Sequence, residues 1–304
     1  MKLTDHQMAE FAARGCLRFD ALVPEEINQQ FLTDIGAVEK TNETLMAHYA
    51  KVMQSSSIPL VPAGTPLQSA YPEGSALEKL LHMPEVADII ESLVGLDCVV
   101  DHHFLHITFP LAYHNDPDKV VSQAYHQDST IDPRQAFDVQ MFYFPHEVTL
   151  EMGGTRYLPG SQFRIVSEAA IARYQNIRGQ EHVVCPAGTL CFFHMGLWHG
   201  GGINRSEQLR YMFKTRLAPT KRQLNLWRSS STPNHYDQRP IFWTNGLPDP
   251  EHLHSILVKH EPWFEADTGR LEFINRIRFW RYITGDENFD ADYWVTRIEN
   301  EYAP

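Results

Sequence analysis

The chain has 304 residues, of which 43% are hydrophobic and 21% charged, and its formal net charge is −12 at pH 7. A chain of this length buries most of its unfolded surface, so it needs no disulfides to be stable. Proteins that bind nucleic acid usually carry a basic face. The only notable basic feature here is the pair Lys221-Arg222, so we expect no nucleic-acid partner.

The four cysteines indicate a reducing compartment. They form no Cys-x-x-Cys pair and are too few for a disulfide scaffold. They are Cys16, Cys98, Cys185 and Cys191. The first residues lack the apolar core of a signal peptide, and no apolar stretch approaches the roughly 20 residues of a membrane span. We therefore expect free thiols, no membrane contact and a cytoplasmic location.

The N-terminal part reads as helices around a short strand. Thr4 followed by Gln7 forms a capping-box pattern for a first helix, and Gly15 marks its end. Cys16–Phe19 alternates like a strand. Pro24 opens a second helix, because proline is tolerated in a first turn.

A long loop and another helical segment follow. Residues 51–77 are rich in Ser, Pro and Gly, which indicates a loop. A loop of this length is usually functional, so it either lines a substrate site or is a plain surface excursion. Residues 79–94 then return to helical spacing.

From residue 98 the pattern changes to short β-strands bounded by Gly, Pro or Asp. We predict strands at residues 98–107, 137–144, 155–158, 182–184, 189–193 and 209–217, with a helical insertion at residues 168–174. Many short strands separated by turns are typical of a sandwich or jelly roll. The sequence thus predicts a mainly β fold with flanking helices.

We interpret residues 1–304 as a single domain with three parts. These are the N-terminal helices and loop at residues 1–95, the jelly-roll core at residues 96–218, and a C-terminal extension at residues 219–304. The extension contains five of the six tryptophans. That is too much apolar area to leave exposed, so the extension is expected to pack on the core. Its patterns predict helices at residues 272–282 and 290–299.

The segment His126-Gln127-Asp128 is the first candidate metal-binding motif. Alternate residues of a strand point to the same face, so an imidazole and a carboxylate can share one metal ion. The triplet alone is a weak signal. His199, which follows an apolar strand and precedes a Gly-rich turn, adds a second imidazole. Two histidines and one carboxylate form the facial triad of non-haem Fe(II) oxygenases, which leaves open coordination positions.

An arginine that could hold an acidic co-substrate follows on the next predicted strand. The guanidinium fork of Arg210 suits a carboxylate. Arg216 shares the strand face of Arg210 and is the alternative. His194 is expected to be a core histidine, whereas His106 is a candidate substrate contact.

Three motifs occur in an order that resembles the phytanoyl-CoA dioxygenase (PhyH) family of Fe(II)/2-oxoglutarate-dependent oxygenases. They are His126-x-Asp128, the run GGTRYLPGS at residues 153–161, and the run WHGGGINRSEQLR at residues 198–210. The match covers roughly residues 3–218. The resemblance implies a double-stranded β-helix core, a jelly roll of the cupin type.

The resemblance also implies the ligands. Fe(II) would be bound by His126, Asp128 and His199, the distal carboxylate of 2-oxoglutarate by Arg210, and O₂ would be the oxidant. Halogenases of this family lack the aspartate. The presence of Asp128 therefore favours hydroxylation, desaturation or a related oxidation of a small metabolite, and we expect a role in biosynthesis.

Further co-substrate contacts follow from the same resemblance. Gln123 and Thr155 occupy positions from which some members donate hydrogen bonds to a carboxylate. Phe104 and Phe142 lie where the family packs apolar side chains around 2-oxoglutarate, although core packing explains them nearly as well. Some members carry a serine two residues after the distal histidine, where this chain has Gly201.

Two other functions remain open. One is a cupin-like metal enzyme that does not use 2-oxoglutarate, such as an isomerase or an O₂-only dioxygenase. The other is a catalytically silent binding protein. An acyl-CoA substrate is disfavoured by the lack of a basic cluster. For the oligomeric state, a homodimer is one option.

Overall fold

The computed structural model of this chain describes residues 2–53, 58–128, 139–164, 171–173 and 176–220. The extension beyond residue 220, with its two predicted helices, lies outside the described residues, as does most of the predicted insertion at residues 168–174. The domain boundaries therefore stay predictions.

Five α-helices, described up to residue 94, form one side of the molecule. They are α1 (Asp5–Arg14), α2 (Glu25–Asp34), α3 (Leu45–Met53), α4 (Ala76–His82) and α5 (Pro84–Val94). The predicted capping box of α1 is present, since Thr4 Oγ1 accepts from Gln7 N at 3.2 Å and Gln7 Oε1 accepts from Thr4 N at 3.0 Å. Gly15 ends α1 at φ 73°, where glycine is favoured.

Two predictions for this region were wrong in detail. The helical segment 79–94 is two helices, because Met83 precedes Pro84 and adopts an extended ψ of 128°. The predicted loop 51–77 is also shorter, since α3 runs to Met53 and α4 starts at Ala76. A short strand, Thr65–Pro66, lies between them.

Nine strands lie in the described residues, and all pair antiparallel. They are β1 (Cys16–Phe19), β2 (Thr65–Pro66), β3 (Val99–Thr108), β4 (Val139–Phe144), β5 (Thr155–Tyr157), β6 (Glu181–His182), β7 (Thr189–His194), β8 (His199–Gly201) and β9 (Arg210–Ala218). The larger sheet has the order β1-β7-β4-β9-β3-β2, and the smaller sheet has the order β6-β5-β8. This architecture confirms the predicted mainly β jelly-roll fold.

The smaller sheet gains a further edge from the segment that ends at His126. His126 N donates to His199 O and His199 N donates to His126 O, both at 3.0 Å. The residues after His199, predicted to be a turn, thus form strand β8 between this segment and β5.

The larger sheet separates two apolar clusters, because successive strand residues point to opposite faces. Its outer face packs on the helices, where Met141 and Tyr143 join residues of all five helices. Its inner face meets the smaller sheet, where Phe142 and Phe144 pack with Tyr157. In the described part of the chain, no helix combines the length and apolar character needed to cross a membrane.

Candidate metal centre

Three side chains from distant parts of the sequence converge between the two sheets. One ligand atom from each of His126, Asp128 and His199 lies within 4.8 Å of the others. Asp128 Oδ2 lies 3.3 Å from His199 Nε2, and Asp128 Oδ1 lies 3.9 Å from His126 Nε2. The three predicted ligands are therefore brought together in space.

Backbone pairing positions these side chains. The paired backbone bonds between His126 and His199 place their rings side by side, with centroids 4.3 Å apart. Asp128 N donates to Met195 O at 2.7 Å, which holds the Asp128 carboxylate on the same side as the two imidazole rings. The two imidazoles are therefore placed by backbone pairing, and the carboxylate by a bond to the turn that follows β7.

Both imidazoles are oriented to offer Nε2. His126 Nδ1 lies 3.1 Å from Ala124 O, and His199 Nδ1 lies 2.9 Å from Leu197 O. A proton on Nδ1 satisfies each carbonyl and leaves the Nε2 lone pair free for a metal. Burial, reinforced by His199, lowers the pKa of His126 to about 3, which keeps that ring neutral.

Asp128 is buried beside two cations. Arg216 Nη2 donates to its Oδ1 at 2.6 Å, and Lys214 Nζ lies 3.5 Å from its Oδ2. Burial by itself raises the pKa of this carboxyl group, but the charges of Arg216 and Lys214 outweigh burial and hold the pKa well below its usual range. Two imidazoles and one carboxylate match the donor set of a non-haem Fe(II) site.

The two arginines of β9 differ in their surroundings. Arg216 contacts Asp128, which disfavours it as the co-substrate arginine. Arg210 is 3% exposed and donates from Nη2 to Thr108 Oγ1 at 2.7 Å. Its Nε and Nη1 have no hydrogen-bond partner among the described residues. Burial lowers the pKa of Arg210 to about 10, so the group is still cationic at neutral pH and suits an anionic ligand.

Sequence reasoning missed Thr108. Its hydroxyl lies beside Arg210 because β3 and β9 pair with Thr108 opposite Arg210. Period-two alternation already placed residue 108 on the face of residues 104 and 106. The missing information was which strand lies next to β3, and local sequence does not encode that pairing.

Comparison with known proteins identifies the family. The family model for phytanoyl-CoA dioxygenase (PhyH) matches residues 11–212. The chain belongs to the PhyH family. Among curated proteins, none matches this sequence.

Solved structures with the same fold as this PhyH protein include three with low sequence identity. The α-ketoglutarate-dependent carbocyclase SnoK from nogalamycin biosynthesis is 17% identical over 72% of this chain and 85% of its own, with a TM-score of 0.51. EctD from S. alaskensis with bound Fe is 17% identical over 73% and 79%, with a TM-score of 0.51. AviO1 from Streptomyces viridochromogenes Tue57 is 14% identical over 74% and 99%, with a TM-score of 0.51. Family membership and the site geometry make this chain a non-haem iron oxygenase.

The two predicted polar co-substrate contacts flank β8 of the PhyH protein. Thr155 is buried and pairs with Gly201 on one side of β8. On the other side, Gln123 Oε1 accepts from Gly201 N at 2.9 Å, and the Gln123 side chain is exposed. Both lie near the triad, but Oε1 of Gln123 already accepts a hydrogen bond from the backbone N of Gly201. Their contacts with a co-substrate stay predictions.

The two predicted aromatic contacts have different surroundings. Phe142 is fully buried, and its ring lies 5.8 Å from that of His199. Phe104 is 47% exposed on the inner face of β3, with Lys214 Nζ 5.8 Å from its ring centre. Phe142 thus packs on a candidate iron ligand, whereas Phe104 lies at the open side of the barrel.

The remaining histidines of the predicted site also differ. His194 is buried and its Nδ1 accepts from Gly196 N at 2.9 Å, as suits a core histidine. His106 lies on the inner face of β3, where it opposes Met212. Burial and the charge of Lys214 lower the pKa of His106 to about 3, and its Nε2 has no partner among the described residues.

Proposed function

We propose that this PhyH protein is an Fe(II)/2-oxoglutarate-dependent dioxygenase that hydroxylates, desaturates or otherwise oxidises a small organic metabolite. The observation that carries the proposal is the buried guanidinium of Arg210, two nitrogens of which have no partner among the described residues. It lies on the same inner face as Lys214 and Arg216, the neighbours of the triad. A buried, uncompensated cation is costly unless a ligand supplies the counter-charge.

The residues present fit an iron ion and a dicarboxylate. His126, Asp128 and His199 would hold Fe(II). Arg210 and the Thr108 hydroxyl would hold the distal carboxylate of 2-oxoglutarate, because a guanidinium fork and a hydroxyl donate to carboxylate oxygens. Together with O₂, the iron and 2-oxoglutarate supply the oxidising power for an unactivated C–H bond.

The chain's own residues would keep the centre in its working state. The Nδ1 contacts of His126 and His199 hold both rings with Nε2 inward. Arg216 and Lys214 keep Asp128 ionised. Phe142 packs against His199 and excludes water from that side.

The substrate is proposed to be a small molecule of biosynthetic metabolism. A net charge of −12 argues against a long polyanionic substrate such as an acyl-CoA. The cytoplasmic location and the possible homodimer stay predictions. A cupin-like enzyme that does not use 2-oxoglutarate is the alternative, but it provides no anionic ligand for the buried guanidinium of Arg210.

Anaerobic titration of the Fe(II)-loaded protein with 2-oxoglutarate tests this proposal. We expect a visible metal-to-ligand charge-transfer band that saturates, and succinate formation once O₂ is admitted. In Arg210→Met the band should need at least about tenfold more 2-oxoglutarate, since a charged hydrogen-bonded pair is lost. Arg205→Met, an exposed arginine, is the matched control and should behave like the parent. Fe(II) binding with no response to 2-oxoglutarate would favour the alternative.

A further inference from the structure

A row of polar side chains on the inner face of the larger sheet adjoins the candidate metal centre. Gln140 of β4 lies opposite Arg216 of β9, and His102 of β3 lies opposite Arg216 at the irregularity in that pairing. Neighbouring strands are about 4.8 Å apart, so the row spans roughly 10 Å. Arg216 also donates to Asp128, which places the row directly beside the candidate iron ligands.

The row contains hydrogen-bonding atoms that nothing in the described part of the chain satisfies. Gln140 is 0% exposed, yet neither its Nε2 nor its Oε1 has a partner. The Nε2 atoms of His102 and of the nearby His106 are buried without partners too. Buried polar atoms of native proteins are nearly always bonded, so a cluster of exceptions needs a cause. A bound ligand is such a cause.

The types of these atoms restrict the ligand. His102 Nδ1 lies 3.4 Å from Asp101 Oδ1, which favours a proton on Nδ1 and leaves Nε2 as an acceptor. The amide of Gln140 has both a donor and an acceptor to satisfy. Carboxylates and phosphates only accept, and ammonium groups only donate. A hydroxyl group does both.

Charge and shape restrict the ligand further. Arg216 within the row and Lys214 on the same face both disfavour a cationic ligand. Burial and the charge of Arg216 also lower the pKa of His102. The half-exposed ring of Phe104 lies beside the row, 5.4 Å from the ring of His102 and 5.9 Å from that of His106. It offers an apolar wall to a carbon skeleton.

We propose that the substrate is a neutral compound with several hydroxyl groups. Gln140, His102 and His106 would exchange hydrogen bonds with its hydroxyls, and Phe104 would contact its C–H groups. This inference rests on the proposed function, because the row has meaning as a substrate site only if oxidation occurs next to Asp128.

Calorimetry with ring compounds of different charge tests the class of ligand. The protein is loaded with Zn(II) and 2-oxoglutarate so that no turnover occurs, and is titrated with methyl β-D-glucopyranoside, myo-inositol, D-glucuronate and D-glucosamine. We expect at least one neutral compound to bind at least tenfold more tightly than both charged ones. Equal binding, tighter binding of a charged compound, or no binding of either neutral compound would overturn the proposal.

Gln140→Leu tests the row itself. The Gln140 amide has no partner in the described part of the chain, so its removal should leave the melting temperature of the ligand-free protein unchanged or higher. Affinity for the neutral compound should fall at least tenfold. The control is Asn28→Leu, whose buried amide is bonded to Val23 O at 3.2 Å and to the Tyr143 hydroxyl at 2.6 Å. That variant should melt at a lower temperature and bind the neutral compound as the parent does.

The outcomes separate the two proposals. If Gln140→Leu melts as low as Asn28→Leu, or binds the neutral compound normally, Gln140 is structural and the inference is wrong. The charge-transfer band of Fe(II) with 2-oxoglutarate in the unmutated protein reports separately on the proposed function. A normal band with no polyol binding would reject only the substrate class.

Discussion

The two faces of the larger sheet contrast in how completely their side chains are satisfied. The outer face is apolar, and its polar groups are bonded, as in the contact of Tyr143 with Asn28. The inner face carries Arg210, Gln140 and His106, each with buried atoms that lack partners among the described residues. Both faces contribute apolar packing, but only the inner face keeps buried hydrogen-bonding groups available for ligands.

Loss of the carboxylate on the inner side should have the largest effect. In Asp128→Ala one of three iron ligands is missing, and we expect no measurable turnover and at least about hundredfold weaker Fe(II) binding. Far-ultraviolet circular dichroism should show an intact fold. Asp116→Ala, which removes an exposed carboxylate paired with Lys119, is the control. An Asp128→Ala protein that still forms succinate would contradict the assignment.

A change on the outer face should affect stability without affecting the site. Phe31 is 1% exposed and its ring lies 5.3 Å from Tyr143 and 5.8 Å from Phe213. Phe31→Ala should lower the free energy of unfolding by about 3–5 kcal/mol. Urea denaturation measures this loss, and Fe(II) affinity measured below the transition should be unchanged. A large loss of Fe(II) affinity would mean that the two faces are coupled.

Acid should destabilise the metal-free protein through its buried histidines. The pKa values of His106 and His126 are about 3 when folded, against about 6.5 when unfolded. Below pH 6.5 the unfolded chain therefore binds protons that the folded chain does not. Each histidine should reduce the free energy of unfolding by up to about 1.4 kcal/mol per pH unit between pH 6 and 4. The depressed pKa of Asp128 acts only below about pH 4.

Urea denaturation of the metal-free protein at several pH values measures this slope, and His106→Gln should reduce it by the contribution of one histidine. Equal stability at pH 6.5 and pH 4.5 would show that these rings are not held neutral by burial.

The smallest expected effect concerns the hydroxyl beside Arg210. Thr108→Val keeps the shape of the side chain and removes one hydrogen bond to a charged partner, so 2-oxoglutarate affinity should fall about tenfold. Fe(II) affinity should not change. The charge-transfer titration measures both. Thr41→Val is the control, because the Thr41 hydroxyl accepts from the backbone N of Glu43 at 3.1 Å and its loss should leave 2-oxoglutarate affinity unchanged. An unchanged 2-oxoglutarate affinity would remove Thr108 from the co-substrate site.

How far the sequence predicts this molecule depends on whether a feature is local. The capping box of α1, most strand positions and the shared face of His126 and Asp128 follow from residues close in sequence. The break before Pro84 is also encoded locally, because a proline disfavours a helical conformation in the residue before it. Features that depend on strand pairing were not predictable in this way. Arg210 and Arg216 share a strand face, and only the fold shows that Arg216 reaches Asp128 while Arg210 meets Thr108.

A crystal structure of the protein grown anaerobically with Mn(II) and 2-oxoglutarate would show the metal ligands and the co-substrate contacts together. We expect one ion bound by His126 Nε2, His199 Nε2 and a carboxylate oxygen of Asp128, with the distal carboxylate of 2-oxoglutarate on Arg210 and Thr108. An ion bound elsewhere, or 2-oxoglutarate density that does not reach Arg210, would contradict this assignment.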